Sequence, residues 1–334
     1  MTAPTLFSAA TGSKRIGVEQ ELRARCCVTG DAPLENSFVP YEINGAAGAP
    51  VVAVLGGISA SRHVGSSASD LRAGWWEDVV GNGRAIDTTK LRVISIDYLS
   101  RSPEKPPVTT EDQARALAAA LDHAEIDRLH AIVGASYGGM VALAFAAAFP
   151  RRAGRVIAIS AAHESDPMST ALRHLQRRVV ELGASLGRER DALSIARGIA
   201  ITSYLTPAYF EERVNVDGEY DARSAEDRIG RYLKTTGEKF ADTWTSDRYN
   251  SLSLSLDLHS VQPERITVPT TVIAVSSDRL VPIAQSRELA RRLSGPSQLI
   301  ELDSPVGHDA FLGDWRRVAP FITELLQLNA EAIS

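Results

Sequence analysis

Three side chains that lie far apart in the chain have the types needed for nucleophilic acyl transfer. Ser136 occupies the segment GASYGG at 134–139, which matches the pattern G-x-S-x-G, and Asp278 and His308 follow it in that order. A histidine beside the serine accepts its proton as the hydroxyl attacks an acyl carbonyl, while an aspartate orients the imidazole and stabilises its cation. We therefore predict that Ser136, Asp278 and His308 form a catalytic triad.

The residues around Ser136 predict the sharp turn between a strand and a helix that presents a nucleophile. The apolar segment HAIV at 130–133 precedes the serine, and the helical pattern YGGMVALAFAAAF at 137–149 follows it. Small neighbours allow the strained backbone of such a turn, and the first N–H groups of the helix favour developing negative charge. We expect the Tyr137 N–H to be one donor of an oxyanion hole. The alternative is a plain strand–turn–helix whose glycines are incidental.

Asp278 and His308 each follow an apolar segment that predicts a late strand. Thr271–Val275 precedes Asp278 and Gln298–Leu302 precedes His308, which is where such an arrangement requires the acid and the base. Asp278 would alternatively cap a helix N-terminus, and His308 would alternatively be a solvated loop histidine. Of the other histidines, His63 is kept as a candidate for the site.

A second oxyanion donor is expected in the turn that follows another apolar segment, Val51–Leu55. The next residues are Gly56, Gly57, Ile58 and Ser59, and glycines allow the backbone to approach a substrate closely. The Ile58 N–H is our candidate for this donor. A tight turn without that role explains the glycines equally well.

The elements that must position these residues are those of an α/β protein. Short segments rich in Val and Ile, without strict alternation, predict parallel strands buried on both faces, and the helical patterns between them predict helices on both sides of the sheet. Together with the G-x-S-x-G turn, this predicts an α/β-hydrolase fold with a mostly parallel central sheet. The expected strands are Val51–Leu55, Arg92–Asp97, His130–Val133, Arg155–Ser160, Thr271–Val275 and Gln298–Leu302, preceded by antiparallel strands at Leu22–Thr29 and Phe38–Asn44. The expected helices are Glu111–His123, Tyr137–Phe149 and Ile283–Leu293.

The alternation of strands and helices stops in the middle of the chain. The charged stretch there contains helix-like segments at Thr170–Leu182 and Arg190–Thr202 and few strand signals. We therefore divide the chain into an α/β-hydrolase core at 1–160 and 270–334 and an inserted helical cap at 161–269. Such an insertion also explains the long interval between the serine and the aspartate of the triad.

Composition argues against several other classes of protein. The 334 residues carry a formal net charge of −5, which is unusual for a general nucleic-acid binder. No apolar segment approaches the about 20 residues that span a bilayer, and we identify no secretion signal. Cys26 and Cys27 are adjacent and are not expected to form a disulfide, which fits a cytoplasmic enzyme. No group of His and Cys has metal-ligand spacing, so no metal is expected.

Four segments of the chain resemble the homoserine O-acyltransferase family of the α/β-hydrolase superfamily. The likeness extends from about residue 38 to about residue 325. The WWEDVVGNGRAIDT and GHDAFL segments are specific in combination, whereas the serine segment by itself is not. The four segments are WWEDVVGNGRAIDT at 75–88, GASYGG at 134–139, YLKTTGEKF at 232–240 followed by Tyr249 and Asp257, and GHDAFL at 307–312.

This resemblance implies a ping-pong acyltransferase of methionine biosynthesis. The serine would accept an acyl group from acyl-CoA, which is a co-substrate and not a permanently bound cofactor, and would pass it to the hydroxyl of L-homoserine. The resemblance also implies that Asp309 binds the substrate ammonium, that Arg197 binds its carboxylate, and that the enzyme is a homodimer built through the cap. Outside the resemblance, a surface salt bridge is the alternative role of each charged residue. Tyr204 is either a further pocket residue or a core tyrosine.

The donor and the acceptor each remain open between two related molecules. Family members use acetyl-CoA or succinyl-CoA, and the guanidinium of Arg62 would meet the terminal carboxylate of a succinyl group, so we favour succinyl-CoA. The turn of Gly56, Gly57, Ile58 and Ser59 departs from the histidine-containing turn of the family and joins Arg62 as a candidate for donor specificity. L-Serine, shorter than L-homoserine by one methylene, is the alternative acceptor. An ester or lactone hydrolase on the same triad and a non-catalytic binding protein are the other hypotheses.

Overall fold

The architecture is an eight-stranded sheet that is parallel except at one edge. The computed structural model describes residues 28–34, 37–214 and 222–327. The strands are β1 (Val28–Leu34), β2 (Ser37–Gly45), β3 (Val51–Leu55), β4 (Val80–Gly81), β5 (Ile86–Asp87), β6 (Arg92–Ile96), β7 (Ala131–Ala135), β8 (Val156–Ile159), β9 (Thr270–Val275) and β10 (Ser297–Leu302). The sheet order is β1-β2-β6-β3-β7-β8-β9-β10, with β1 and β2 antiparallel to their neighbours and β4 paired separately with β5.

Helices cover both faces of this sheet. Leu117, Phe145 and Leu289 belong to the apolar core on one face, and Val318 and Ile322 belong to the core on the other. The helices are α1 (Thr110–His123), α2 (Tyr137–Ala148), α3 (Pro167–Ser185), α4 (Glu189–Tyr204), α5 (Pro207–Val214), α6 (Ala222–Ala241), α7 (Ser246–Asp257), α8 (Ile283–Arg292), α9 (Ala310–Gly313) and α10 (Trp315–Leu326).

The central strands are apolar throughout because both of their faces are covered. Every residue of β7, β8 and β9 is buried. A strand enclosed on both faces loses the alternation of polar and apolar residues that a half-exposed strand keeps. The mostly parallel α/β sheet predicted from the sequence is therefore confirmed, with strand ends within about two residues of those expected.

The first strand differs from the prediction. The sequence pattern indicates Leu22–Thr29, whereas β1 runs over Val28–Leu34 and pairs antiparallel with β2; residues 22–27, including both cysteines, lie outside the described residues. The segment VTGDAPL contains Gly, Asp and Pro, which are typical of turns. An edge strand tolerates Pro33 because one side of its backbone has no partner strand.

The helices α3 to α7 all lie between β8 and β9 in the chain. The predicted segments Thr170–Leu182 and Arg190–Thr202 fall within α3 and α4, which extend further at both ends. The two chain segments that lead into and out of this helical region run side by side. The Val261 N–H donates to the His163 carbonyl at 2.8 Å, and the next residues form an isolated antiparallel bridge. This pair of segments connects the helical region to the sheet.

Candidate active site

Ser136 lies at the junction of β7 and α2 in a backbone conformation that few residues adopt. Its φ is +54° and its ψ is −120°, and its N–H donates to the Ile159 carbonyl at 2.8 Å. A Cβ on Gly138 would lie 2.1 Å from the Leu55 carbonyl oxygen, and a Cβ on Gly134 would lie 2.3 Å from the Gly138 carbonyl oxygen. The glycines of the turn are therefore required by close packing and are not incidental.

The structure brings Ser136, His308 and Asp278 into one hydrogen-bonded row. His308 Nε2 lies 2.7 Å from Ser136 Oγ, and His308 Nδ1 lies 2.7 Å from Asp278 Oδ2. The histidine and the aspartate are each 5% exposed. Because a carboxylate only accepts, Nδ1 carries the proton of the imidazole, and Nε2 is left to accept the serine proton. This is the geometry of a nucleophile, a general base and an orienting acid.

Asp278 does not cap a helix, which was the alternative role, because α8 begins at Ile283 after Pro282; its second carboxylate oxygen instead holds the turn that precedes the helix. Its Oδ1 accepts hydrogen bonds from the N–H groups of Leu280 at 2.8 Å and Val281 at 3.0 Å, while Oδ2 faces His308. The turn before α8 thus fixes the carboxylate in one orientation. A carboxylate held in this way holds the imidazole in one tautomer.

The pKa of His308 is raised above its ordinary value although the residue is buried. Burial favours the neutral imidazole, but the carboxylates of Asp278 and Asp309 favour the imidazolium and outweigh burial and the opposing charge of Arg173. The imidazolium that forms when the base takes the serine proton is therefore stabilised where it arises.

The two candidate oxyanion donors lie beside the nucleophile. A Cβ on Gly57 would be 3.9 Å from Ser136 Cβ, so the turn that carries Ile58 runs past the serine. The Gly138 N–H donates at 2.9 Å to the carbonyl that precedes Gly57, which ties this turn to the start of α2. Within the described residues, neither the Ile58 N–H nor the Tyr137 N–H has a backbone acceptor, so both are available to an oxyanion.

A cavity of about 140 Å³ opens beside the triad. Its walls come from the turn after β3 and the loop around His308 on one side, and from α3, α4 and α7 on the other. Both apolar and charged side chains line it, as expected for a pocket that binds a polar small molecule. The residues discussed below that line it are Ile58, Ser59, Arg173, Gln176, Arg197, Tyr204 and Asp309.

Arg197 and Asp309 face the same cavity from α4 and from the histidine loop. The Arg197 guanidinium carbon lies 5.5 Å from the centre of the Tyr204 ring and 5.4 Å from that of Phe240. In the part of the chain that the structure describes, the Arg197 Nε is buried and has no hydrogen-bond acceptor. Burial raises the pKa of Asp309, against the lowering effect of His308 and Arg197. The guanidinium of Arg197 and the carboxylate of Asp309 thus share one pocket, and Tyr204 lies between Arg197 and the histidine.

Two cavity residues on α3 were not singled out from the sequence. Arg173 and Gln176 lie one helical turn apart and both line the cavity. The Arg173 Nε donates to Asp257 Oδ1 at 2.6 Å, and Arg177 lies 2.6 Å from the other oxygen of the same carboxylate. Two guanidinium groups share one carboxylate, so positive charge remains beside the cavity. A signal was present in the sequence, because polar residues occupy one face of α3 at helical spacing, but that pattern normally indicates a solvated face.

Arg62 does not face the acyl-donor position that was predicted for it from the sequence. Its backbone N–H and its guanidinium donate to the Asp97 carboxylate at 2.7 and 2.5 Å, and it does not line the cavity. Asp97, which directly follows β6, therefore neutralises the guanidinium of Arg62 that was expected to bind the carboxylate of the acyl donor. Ser59 does line the cavity, whereas Gly56 lies behind it and accepts a hydrogen bond from the Tyr98 hydroxyl at 2.7 Å.

The paired tryptophans join two of the segments that carry the family resemblance. The Trp76 indole N–H donates to the Phe311 carbonyl at 2.9 Å, and Trp75 stacks on Trp76 with 5.2 Å between ring centres. Trp75 also lines the cavity. His63 does not, since its Nδ1 lies 3.0 Å from a Glu42 carboxylate oxygen and its other nitrogen bonds a backbone carbonyl. Its contacts are structural.

Neither a cluster of possible metal ligands nor a membrane-spanning helix occurs among the residues that the structure describes. No group of three or more His, Cys, Asp or Glu side chains there is arranged to hold a metal ion. None of the described helices combines the length and the apolar character needed to cross a membrane.

Comparison with known proteins places the chain in a family. Residues 50–314 match the model of the α/β-hydrolase fold family. The chain is 41% identical to homoserine O-succinyltransferase of Xanthomonas campestris pv. campestris, over 87% of this chain and 79% of that protein. It is 31% identical to serine O-succinyltransferase of Litchfieldella anticariensis, over 81% and 86% respectively. A crystal structure of homoserine O-acetyltransferase from Bacillus anthracis superposes with a TM-score of 0.77 at 18% identity, over 91% of this chain and 97% of that one.

The sheet order, the strained serine turn and the hydrogen-bonded Ser–His–Asp row define an α/β-hydrolase-fold protein, and the predicted fold is confirmed. Within this class, the chain belongs to the homoserine O-acyltransferase family, as its resemblance in four segments indicated.

Proposed function

We propose that this protein is an L-homoserine O-acyltransferase of methionine biosynthesis that uses succinyl-CoA as its acyl donor. One observation carries the proposal. The cavity beside Ser136 contains both the guanidinium of Arg197, whose Nε has no acceptor among the described residues, and the carboxylate of Asp309. A hydrolase needs only water as acceptor, whereas an amino acid presents one charge of each sign. The two side chains match an amino-acid zwitterion.

The reaction would proceed in two half-reactions on the same serine. Ser136 Oγ attacks the thioester carbonyl while His308 Nε2 takes the hydroxyl proton, and the Ile58 and Tyr137 N–H groups bind the oxyanion. The C–S bond breaks and the coenzyme A thiolate leaves with the proton from His308. The acceptor hydroxyl then attacks the acyl-serine ester, gives its proton to His308, and the proton returns to Ser136 Oγ. Asp278 stabilises the imidazolium in both halves.

The choice of succinyl-CoA has two supports. The 41% identical relative is named a homoserine O-succinyltransferase. The cavity also contains a second guanidinium besides Arg197, that of Arg173, whose only carboxylate neighbour within the described residues is shared with Arg177. Arg173 takes over the role that the sequence analysis gave to Arg62. A succinyl group carries a terminal carboxylate that would bind there, and an acetyl group does not.

L-Serine is the second candidate acceptor. The relative from Litchfieldella anticariensis, 31% identical over 81% of this chain, is named a serine O-succinyltransferase. One methylene separates the two amino acids and changes binding by only about 1–3 kcal/mol in a close-fitting pocket.

The proposal is tested by combining each acyl donor with each amino-acid acceptor. The purified enzyme is incubated with succinyl-CoA or acetyl-CoA, each with L-homoserine, with L-serine or with no amino acid, and product masses and thiol release are recorded. We expect O-succinylhomoserine as the main product and thiol release that depends on homoserine. Thiol release at the same rate without an amino acid would show an acyl-CoA hydrolase instead. The Ser136→Ala variant is the control and should lose activity by about 10⁴-fold or more.

We further propose that residues 161–269 form a cap on a core made of residues 1–160 and 270–334, and that the enzyme is a homodimer through this cap. Met168, Leu175, Leu182 and Leu186 are 68%, 59%, 63% and 69% exposed and lie along one side of α3 and its C-terminal end. Spacing of seven residues is typical of paired helices. A twofold interface uses the same patch on both subunits, so α3 of a second copy would cover this one.

A further inference from the structure

We propose that the side-chain amide of Gln176, oriented by the hydroxyl of Tyr249, is a specificity determinant that selects a carboxylate-bearing acyl donor. The inference rests on the proposed function and concerns two residues to which no role has been assigned. Gln176 follows Arg173 by one turn of α3, so the two side chains emerge on the same side of the helix and both line the cavity. It is 3% exposed, which is unusual for a glutamine.

The orientation of this amide is fixed by one hydrogen bond. The Tyr249 hydroxyl donates to Gln176 Oε1 at 2.8 Å. Tyr249 is itself buried, and its ring packs edge-on against Phe240 and Trp244, with ring centres 6.0 and 6.4 Å away. Because the oxygen of the amide is occupied, its two N–H groups are the part of Gln176 that is left to the cavity.

The amide nitrogen of Gln176 forms no hydrogen bond within the part of the chain that the structure describes. Among the described residues, no hydrogen bond from Gln176 Nε2 is present, and the atom does not belong to the buried polar atoms that lack a partner. It therefore lies on the cavity surface. With the Arg173 guanidinium beside it, the wall offers hydrogen-bond donors and positive charge. Such a wall fits an anion with several acceptor oxygens, and a carboxylate is the anion that distinguishes succinyl from acetyl.

The test compares the preference of each variant for succinyl-CoA over acetyl-CoA and not its overall activity. In Gln176→Glu, Tyr249 still donates to the side chain, but a carboxylate replaces the N–H donors. We expect the ratio of kcat/KM for succinyl-CoA to kcat/KM for acetyl-CoA to fall by at least about tenfold, because the variant repels the donor carboxylate and has lost a hydrogen bond to it. In Gln176→Met, which removes the donors without adding charge, the ratio should fall in the same direction by a smaller factor.

Tyr249→Phe tests whether the hydroxyl orients the Gln176 amide, because it removes that hydroxyl and keeps the aromatic ring. Without the hydroxyl the amide is free to turn, and the donor ratio should fall while kcat with acetyl-CoA stays within about twofold, since neither residue contacts the triad. Gln298→Glu is the matched control, because it makes the same change at an exposed position on β10. Its donor ratio should equal that of the unaltered enzyme.

The outcomes separate this inference from the proposed function. A donor ratio that is unchanged in Gln176→Glu and Gln176→Met would overturn the inference. Unchanged rates with both donors would mean that Gln176 contacts neither acyl group, and an equal loss with both would mean that it binds a part of the substrates common to the two reactions. If the unaltered enzyme transfers neither acyl group to an amino acid, the proposed function falls and the inference falls with it. Thermal unfolding of each variant shows whether a lost activity reflects lost folding.

Discussion

At the scale of single residues, the site is a set of charges whose burial makes them interact strongly. His308 is surrounded by Asp278 on one side and Asp309 on the other, with Arg173 and Arg197 further out in the same cavity. In such an environment the protonation of one group depends on its neighbours, since little water screens them. Substitution of a residue that we propose binds the substrate should therefore also change the pKa of the base, His308.

Asp309→Asn should change both the acceptor affinity and the pH profile. Asp309 raises the pKa of His308, so its neutral replacement lowers that pKa. The reaction requires the neutral imidazole, which is lost as the pH falls through the pKa of His308. The acid limb of kcat/KM for acyl-CoA should therefore move to lower pH, and KM for homoserine should rise. Asp303→Asn is the control, because it changes an exposed carboxyl after β10, and it should leave the acid limb of the pH profile unmoved. An unmoved limb in Asp309→Asn would contradict the electrostatic role.

Arg197→Lys should impair the second half-reaction and leave the first intact. Lysine keeps the charge but loses the planar pair of donors that binds a carboxylate at two points. We expect KM for homoserine to rise by about tenfold or more, with the rate of acyl-enzyme formation unchanged in rapid-mixing mass spectrometry. Arg190→Lys, in an exposed ion pair on the same helix, is the control. Slower acyl-enzyme formation in Arg197→Lys would indicate that Arg197 binds the acyl donor and not the amino-acid acceptor.

At the scale of elements, the active site depends on how closely α2 approaches β3. The start of the helix is in contact with the carbonyl groups at the end of that strand, and only a residue without a side chain fits between them. The same contact helps to set the distance between the two candidate oxyanion N–H groups. The turn is thus both a packing element and a part of the site.

Gly138→Ala tests this contact. The added Cβ would lie 2.1 Å from the Leu55 carbonyl oxygen, so backbone must move, and we expect a loss of about 1–3 kcal/mol in the free energy of unfolding together with most of the activity. Gly230→Ala in α6 is the matched control, since its added Cβ would have no atom within 4 Å among the described residues, apart from the adjacent residues and backbone of its own helix. That variant should be more stable by about 0.5–1 kcal/mol. Urea unfolding measures both, and equal effects would contradict the packing argument.

The helix α3 buries polar side chains and exposes large apolar ones, which is the reverse of the usual arrangement. Its buried residues are Ser169, Gln176 and Val180, while large apolar residues are exposed on another side. A helix that covers an ordinary core would bury the apolar stripe. Here the inner face lines the cavity beside the triad, and the apolar stripe is the surface that we propose a second copy of the chain covers.

At the scale of the whole molecule, this stripe predicts the oligomeric state. Leu175→Glu combined with Leu182→Glu would place charge in the centre of a paired-helix interface, and we expect the dimer to become a monomer in light scattering after gel filtration. Leu71→Glu changes a residue that is 86% exposed and lies outside α3, and it should leave the dimer intact. A double variant with the mass of the unaltered protein would exclude α3 as the interface.

The sequence by itself determined the sheet and the triad. The backbone of the serine turn depends on residues within a few positions of Ser136, and the buried strands that place Asp278 and His308 are recognisable from their composition. The order serine, acid, histidine then follows from the order of the strands. These are properties of short segments, and local sequence encodes them.

Only the tertiary structure decided which charges meet in the cavity. Arg62 was a predicted site residue and Arg173 was not, but Asp97 neutralises the first, and the packing of α3 brings the second to the cavity. Gln176 and Tyr249 are 73 residues apart in the chain, and their hydrogen bond exists because α3 and α7 pack together. A long side chain pairs with whichever partner the packing of distant helices brings within reach, and that packing is a property of the whole fold and not of any one segment.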